Sequence, residues 1–482
     1  MSSARETIAV EASRGKGARV AVLAVIMGCQ LMMVLDTSIV TTALPHLARD
    51  LAFTTSSLSW VQNSYALAFG GLLLLGARAG DLLGRRRVFI AGVAVFTVAS
   101  LMAGLAPNAV VMIFARILQG VASAFAIPAT LALLVQSFPG DEERSRAIGI
   151  YSAVIGAGGS VGIIVGGVFT DLLSWRWGLL VNVPIGAVVL LLAPRFLPET
   201  KRSQGSLDFP GALAITLGMS SLVLGFVNAS EVGWSQQKTW VPLVLAGLFI
   251  TVFTVVERRA SQAVIPLRLF KDTTRSGAYL IRILIVGAMF SMFYFLSQYL
   301  QNVLGFDAFT AGMSYIPLTL MFFAMVYVIR PLSKLIGKPV LLLASLIAAA
   351  LGMLWLSNID ASTTYWPGVV LPLVVLGAGQ GVAIILLTEF GMSQVTPDDN
   401  GAASGLVNTA HQLGGSIGLA LLTVVFSRAA GADAVPARAD VSSYAAVFNA
   451  ATCFYALAII GGIVIVVAGK RAAKSAAFSE GD

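Results

Sequence analysis

The chain has 482 residues, of which 57% are hydrophobic and 11% charged, with a mean hydropathy of +0.87. Soluble domains carry about 25% charged residues, so this composition excludes a water-soluble globular protein and fits a chain dissolved in lipid. The formal net charge of +8 does not mark a nucleic-acid binder, because the lysines and arginines sit in short loops between apolar runs.

The first residues, MSSARETIAVEASRGKGAR, lack the short apolar stretch and small-residue cleavage site of a signal peptide, so the first apolar segment is expected to stay. Fourteen apolar segments follow, over about 20–44, 60–77, 87–106, 109–136, 146–170, 177–197, 210–229, 240–256, 277–302, 310–329, 339–357, 366–389, 400–427 and 444–468. Each is long enough to span a bilayer. An even count puts both termini on one side. With the termini inside, 24 lysines and arginines fall in cytosolic segments and 5 outside, a decisive positive-inside asymmetry. The expected location is therefore the plasma membrane, multi-pass, with both termini cytosolic. Cys29 and Cys453 fall inside apolar runs and read as reduced, buried residues rather than a disulfide framework.

Asp36 is the only acidic side chain in the first segment. A carboxylate at membrane depth costs at least ~2.5–3.5 kcal/mol, which marks it as functional and makes it the candidate proton carrier. The plainer alternative is an aspartate bonded to Thr37 or Ser38 that only packs helices. Arg116 lies about as far from the outer end of the fourth segment as Asp36 does from that of the first, at ~12–14 Å. Such a pair could keep Asp36 ionised until a cationic substrate or a proton competes for it. Arg78, Asp81 and Arg85 cluster at the inner end of the second segment beside Arg86 and Arg87; a plain positive-inside loop is the alternative there, and it is the preferred reading for Arg86 and Arg87.

Glycine spacing in the fifth segment (Gly158, Gly162, Gly166) and the thirteenth (Gly414, Gly418) allows close helix approach, and these glycines are expected at the interface where two halves slide. His411 could share the proton coupling, against a neutral packing role. Arg282 and Glu389 are explained by snorkelling to the inner interface, with an inner-gate pair as the lesser reading. The candidate substrate cavity comprises Met33, Asn63, Tyr65, Gln119, Phe290, Phe293, Tyr294, Gln298, Tyr315, Asn408 and Gln412. Its aromatic and methionine content suits a deformable, polyspecific drug wall better than a sugar site.

An internal repeat organises the chain. Gly149-x8-Gly158-Gly159-Ser160-Val161-Gly162 recurs as Gly405-x8-Gly414-Gly415-Ser416-Ile417-Gly418, Gln119-Gly120-Val121 as Gln380-Gly381-Val382, and Leu83-Gly84-Arg85 loosely as Ile336-Gly337-Lys338. The offsets are similar and in register, which implies two duplicated halves. The expected organisation is a tail over 1–19, a six-helix half over 20–197, two inserted helices with flanking loops over 198–276, a second half over 277–468 and a tail over 469–482.

Four stretches carry a family resemblance: LDTSIVTTALP (Leu35 to Pro45), GARAGDLLGRRR (Gly76 to Arg87), Arg116-x-x-Gln119-Gly120, and WRWGLLVNVPIG (Trp175 to Gly186). Together they resemble the fourteen-spanner drug:proton antiporters of the major facilitator superfamily. The resemblance implies an all-α membrane fold of two six-helix pseudo-repeats plus two inserted helices. It also implies that Asp81 caps a helix N-terminus of the other half as a cytosolic gate, with Arg78 completing the latch. Two places depart from the family pattern. Ala77 and Ala79 stand where the loop motif has Gly-x-Leu, and Gly162 is followed by Ile163 where the antiporter motif has Gly-Pro. The tenth segment carries no acid, which argues against dicationic substrates.

The reading is proton-coupled efflux of amphiphilic, often cationic, drugs or antibiotics by alternating access, with a proton-coupled nutrient symporter and a polytopic receptor as alternatives. The expected partners are drugs or antibiotics, protons and the lipid bilayer, with no nucleic acid, and a monomer as the working unit. An intramembrane enzyme lacks material: the two histidines are separated and HExxH does not occur, so no catalytic or metal-ligating set is expected. The absence of a Walker-type loop argues against direct use of ATP, and no cofactor is expected.

Overall fold

The computed structural model describes residues 16–53, 60–199, 209–259, 266–360, 362–396, 399–430 and 440–479. Among these residues the secondary structure is helical throughout, with no strand. The helices are α1 Lys16–Asp50, α2 Trp60–Leu83, α3 Arg85–Gly104, α4 Ala109–Ser137, α5 Asp141–Leu172, α6 Trp175–Leu180 continuing as Asn182–Phe196, α7 Phe209–Val232, α8 Gln237–Arg259, α9 Thr273–Asn302, α10 Ala308–Met313 continuing as Ile316–Ile336, α11 Lys338–Leu356, α12 Tyr365–Gly368 continuing as Val370–Gly391, α13 Asn400–Ala430 and α14 Val441–Ser479. Among the described residues thirteen helices are long and apolar enough to cross a membrane, and α5, at 32 residues, has the length to do so as well.

Local chemistry sets the helix ends. Asn108 accepts from Val111 N at 3.0 Å to start α4, and Asp272 accepts from Arg275 N at 2.7 Å to start α9. Asp141, Glu142 and Glu143 place negative charge in the first turn of α5, where the helix dipole favours it. The tight joints between α2 and α3 and between α10 and α11 turn on Gly84 (φ 100°) and Gly337 (φ 79°), a left-handed backbone that a side chain would strain. These are the two glycines that the repeat pairs.

Two sequence boundaries move. Helix begins at Lys16, inside the expected N-terminal tail, and α14 runs to Ser479, through most of the expected C-terminal tail. The alanine-rich run Arg471 to Ala477 has the propensity to extend a helix already started in the membrane. Residues 1–15, 200–208 and 260–265 of the expected tail and loops lie outside the described residues.

Helix packing repeats with the sequence. In the first half α1 packs on α5 and α6, α2 on α4, and α3 on α4 and α6. In the second half α9 packs on α13 and α14, α10 on α12, and α11 on α12 and α14, the same pattern eight helices on. The halves meet along α5 against α10 and α12, and along α13 against α2 and α4. Helix α7 leans on both α2 and α13, and α8 packs on α7. The outer faces of α3, α6, α8 and α14 expose Val98, Leu191, Val244 and Ile460, each at least 60% accessible, which is the face a lipid-embedded bundle presents.

Candidate functional site

The site is built where α1, α3, α4 and α6 converge. Asp36 is completely buried. Its Oδ2 accepts from Arg116 Nη1, and its Oδ1 accepts from Gln119 Nε2 at 2.7 Å and from Asn182 Nδ2 at 3.0 Å. Arg116 and Gln119 are three residues apart on α4, which puts both on one face, and Arg116 Nη1 also donates to Gln119 Oε1 at 2.8 Å. Gln119 Nε2 further donates to Ser100 Oγ of α3 at 2.9 Å. Arg116 Nε donates to Val61 O at 2.9 Å, and its guanidinium carbon lies 4.5 Å over the ring of Tyr65. The hydroxyl of Tyr65 donates to Ser123 Oγ at 3.0 Å.

The alternative that Thr37 or Ser38 holds Asp36 does not match the geometry, since both hydroxyls donate to Val34 O, at 2.9 and 3.1 Å. Ser100 and Asn182 were not foreseen in this site. Asn182 lies within the Trp175–Gly186 stretch, so its motif was visible while its partner was not.

The expected cavity residues separate into three groups. Met33, Tyr65, Gln119, Tyr315 and Asn408 are buried in protein, so Gln119 and Tyr65 serve the Asp36 network rather than an open wall. Tyr315 packs its ring 5.0 Å from Phe293 and donates to Phe293 O at 2.9 Å, a core contact. Asn63, Phe293, Gln298 and Gln412 are half-buried, and Phe290 and Tyr294 are exposed. His411 is half-buried, lies edge-on to Phe290 at 5.7 Å, and has an Nδ1 without a protein partner. It does not belong to the Asp36 network.

At the arginine-rich face, Arg85 donates to Asp81 Oδ1 from Nε at 3.1 Å and from Nη2 at 2.9 Å. The Asp81 carboxylate lies over the first turn of α13: a methyl group placed on Gly401 would stand 2.2 Å from Oδ1. Arg78 is half-buried, and its Nε has no protein partner. Further contacts close the same seam. Arg330 of α10 pairs with Glu142 of α5, Ser145 of α5 donates to Glu389 of α12, and Ser404 of α13 donates to Pro128 O of α4 at 2.9 Å.

Three expectations need correction. Gly158, Gly162 and Gly166 do not face the second half: methyl groups there would meet Val34, Ser38 and Ile39 of α1 at 2.6, 2.4 and 2.9 Å. Gly414 and Gly418 likewise face Ile283 and Gly287 of α9, within the second half. These five glycines bring helices together inside each half. Second, Arg282 does not snorkel, being 1% exposed and bonded to Thr388 Oγ1 at 2.8 Å. Third, Glu389 does not pair with Arg282, because Lys338 Nζ holds it at 2.7 Å.

The family model of the Major Facilitator Superfamily matches residues 26–419. The chain belongs to that superfamily. It is 41% identical to a cephamycin export protein of Amycolatopsis lactamdurans over 422 residues, covering 86% of this chain and 87% of the relative. It is 37% identical to a puromycin resistance protein of Streptomyces alboniger, covering 85% and 82%. Among solved structures, a human organic anion transporter superposes with a TM-score of 0.65 at 16% identity, covering 92% of this chain and 99% of that one. That likeness concerns the fold. This member of the superfamily is accordingly a multi-pass membrane protein.

Proposed function

We propose that this superfamily member exports amphiphilic drugs or antibiotics in exchange for protons, by alternating access between two six-helix halves, with α7 and α8 as the inserted pair. The observation that carries the reading is the buried Asp36–Arg116 pair, held by Gln119 and Asn182. A carboxylate kept in the membrane and matched to one arginine has two charge states with different partners, which is what a proton carrier needs. The export and resistance proteins among its relatives support the direction of transport.

In this mechanism protonation of Asp36 removes the ion pair, loosens α1 from α4, and is coupled to opening one side while the other closes. Asp81 over the start of α13 acts as the cytosolic latch, because a carboxylate at a helix N-terminus is held by its free amides and dipole. Arg85 holds that carboxylate in place through two hydrogen bonds, and the positive charge of Arg78 lies within electrostatic reach of it. Both termini are then cytosolic, the side that the arginine-rich loops occupy.

The test is dye flux in proteoliposomes under an imposed pH gradient. Wild type should move a cationic dye against its concentration gradient, and Asp36→Asn should fall to the leak of protein-free liposomes. Undiminished pH-driven flux in Asp36→Asn would remove the carrier role from this residue.

A further inference from the structure

Arg282 is unlike the other buried arginines. Arg116 and Arg85 pair with carboxylates, and Arg275 donates to Leu269 O at 2.8 Å and Ser393 O at 3.2 Å. Arg282 is 1% exposed, spends Nη1 on Thr388 Oγ1 at 2.8 Å, and leaves Nε and Nη2 without a protein partner. Those two nitrogens form one edge of the guanidinium, spaced to meet both oxygens of a carboxylate. A buried guanidinium left in this condition costs several kcal/mol, and its charge is not removed at any physiological pH. The chain could have filled the position with methionine or leucine at lower cost.

The surroundings are polar and come from both halves. Tyr151 of α5 and His411 of α13 lie within electrostatic reach of the guanidinium. Tyr151 is buried, with Thr130 Oγ1 of α4 at 3.4 Å from its hydroxyl. Thr388 of α12 also accepts from Ser152 of α5 at 3.2 Å. Among the described residues no carboxylate pairs with Arg282: Glu389, which follows its partner Thr388 in α12, is engaged by Lys338 and Ser145. Helices α5, α12 and α13 therefore surround a fixed cation on α9 whose free edge is shaped for an anion and which the described residues leave unmatched.

We propose that Arg282 binds a carboxylate of the transported compound, with Tyr151 and His411 as its polar neighbours, so that acidic or zwitterionic amphiphiles are preferred to plain cations. This rests on the export reading above and narrows its substrate class. The site lies at the seam between the halves, so an anion there would be grasped by both of them and released as they part.

The test uses a matched pair of dyes, tetramethylrhodamine with a free carboxylate and its methyl ester. Uptake is measured in phosphatidylcholine proteoliposomes under a pH gradient, with and without phosphatidylglycerol. Binding to purified protein is followed separately by fluorescence anisotropy. Wild type should show a KM for the acid about tenfold below that for the ester, the size of one charge-assisted contact. Arg282→Gln should raise the acid's KM to meet the ester's. Arg282→Lys, which keeps the charge and loses the fork, should fall between them. Size-exclusion profiles of both variants check the fold.

Acid and ester transported alike by wild type would overturn the proposal and leave export standing. Equal losses for both dyes in Arg282→Gln would also overturn it, as a structural role predicts. An acid preference that appears only with phosphatidylglycerol would assign the site to a lipid headgroup and overturn it too. If neither dye is transported but anisotropy shows acid-selective binding lost in Arg282→Gln, the anion site stands and the export reading falls.

Discussion

Asp36 divides its two carboxylate oxygens among three side chains, and this decides what its removal costs. A neutral amide is cheaper than a carboxylate in a bilayer, and the sequence alone gives no more than that. In the folded chain, however, Asp36→Asn leaves Arg116 buried without a counter-charge. Breaking one side of a buried pair typically costs about 3–5 kcal/mol. Arg116 keeps Val61 O, Gln119 Oε1 and the Tyr65 ring, so the loss should sit at the low end of that range. The single variant is expected to insert but to melt several degrees lower in a fluorescence-detected size-exclusion assay. The double variant Asp36→Asn with Arg116→Gln should recover most of that loss and remain without pH-driven flux. A double variant no more stable than the single would mean that the ion pair does not carry the local stability.

At the scale of helices, the same residue type does two jobs. Gly162 lies against Ser38 of α1 inside one half, whereas Gly401 lies under the carboxylate of Asp81 from the other half. Gly162→Leu should therefore wedge α1 from α5, a cost of at least about 1–3 kcal/mol, and reduce the yield of folded protein. Gly401→Ala should fold but displace Asp81, raising labelling of a cysteine placed at a neighbouring position outside the latch, Leu83, from the side that the arginine-rich loops occupy. Normal folding of Gly162→Leu with slowed transport would return that glycine to the sliding interface.

The contrast marks what the sequence carried. Span positions, the repeat and the charged residues in apolar runs were legible, because a charge in lipid is expensive and a carbonyl ladder leaves helix as the form that spans. Glycine spacing announced close packing but not the partner, since a small residue specifies a distance and not a neighbour. Arg282 was misread for a related reason. Its place near a helix end fits snorkelling, and the covering by α5, α12 and α13 comes from segments far away in the chain.

The whole molecule has a pseudo-twofold seam, and Gly149 and Gly405, related by the repeat, sit at equivalent places on it. Gly149 of α5 faces Val326 of α10, and Gly405 of α13 faces Ala77 of α2. The charges at the two crossings are reversed. Glu142 at the start of α5 meets Arg330 at the end of α10, whereas the start of α13 receives its carboxylate from Asp81 at the end of α2. Both arrangements set negative charge at a helix N-terminus, where the helix dipole favours it, so the proposed latch has a counterpart at the second crossing. If transport requires the halves to part here, joining them should stop it. A methyl group on Gly149 would lie 4.0 Å from Val326 Cβ, within the range for a disulfide, so Gly149→Cys with Val326→Cys should cross-link under mild oxidation. The control joins two helices within one half. A methyl group on Gly178 of α6 would lie 3.8 Å from Ile39 Cβ of α1, so Gly178→Cys with Ile39→Cys should also cross-link. With Cys29 and Cys453 replaced by alanine, oxidation should abolish dye flux in the seam pair, and a reductant should restore it. The control pair should keep its flux in both states if the first half moves as one body. A seam pair that transports while fully cross-linked would mean that the halves do not separate along α5 and α10, and alternating access would need another hinge.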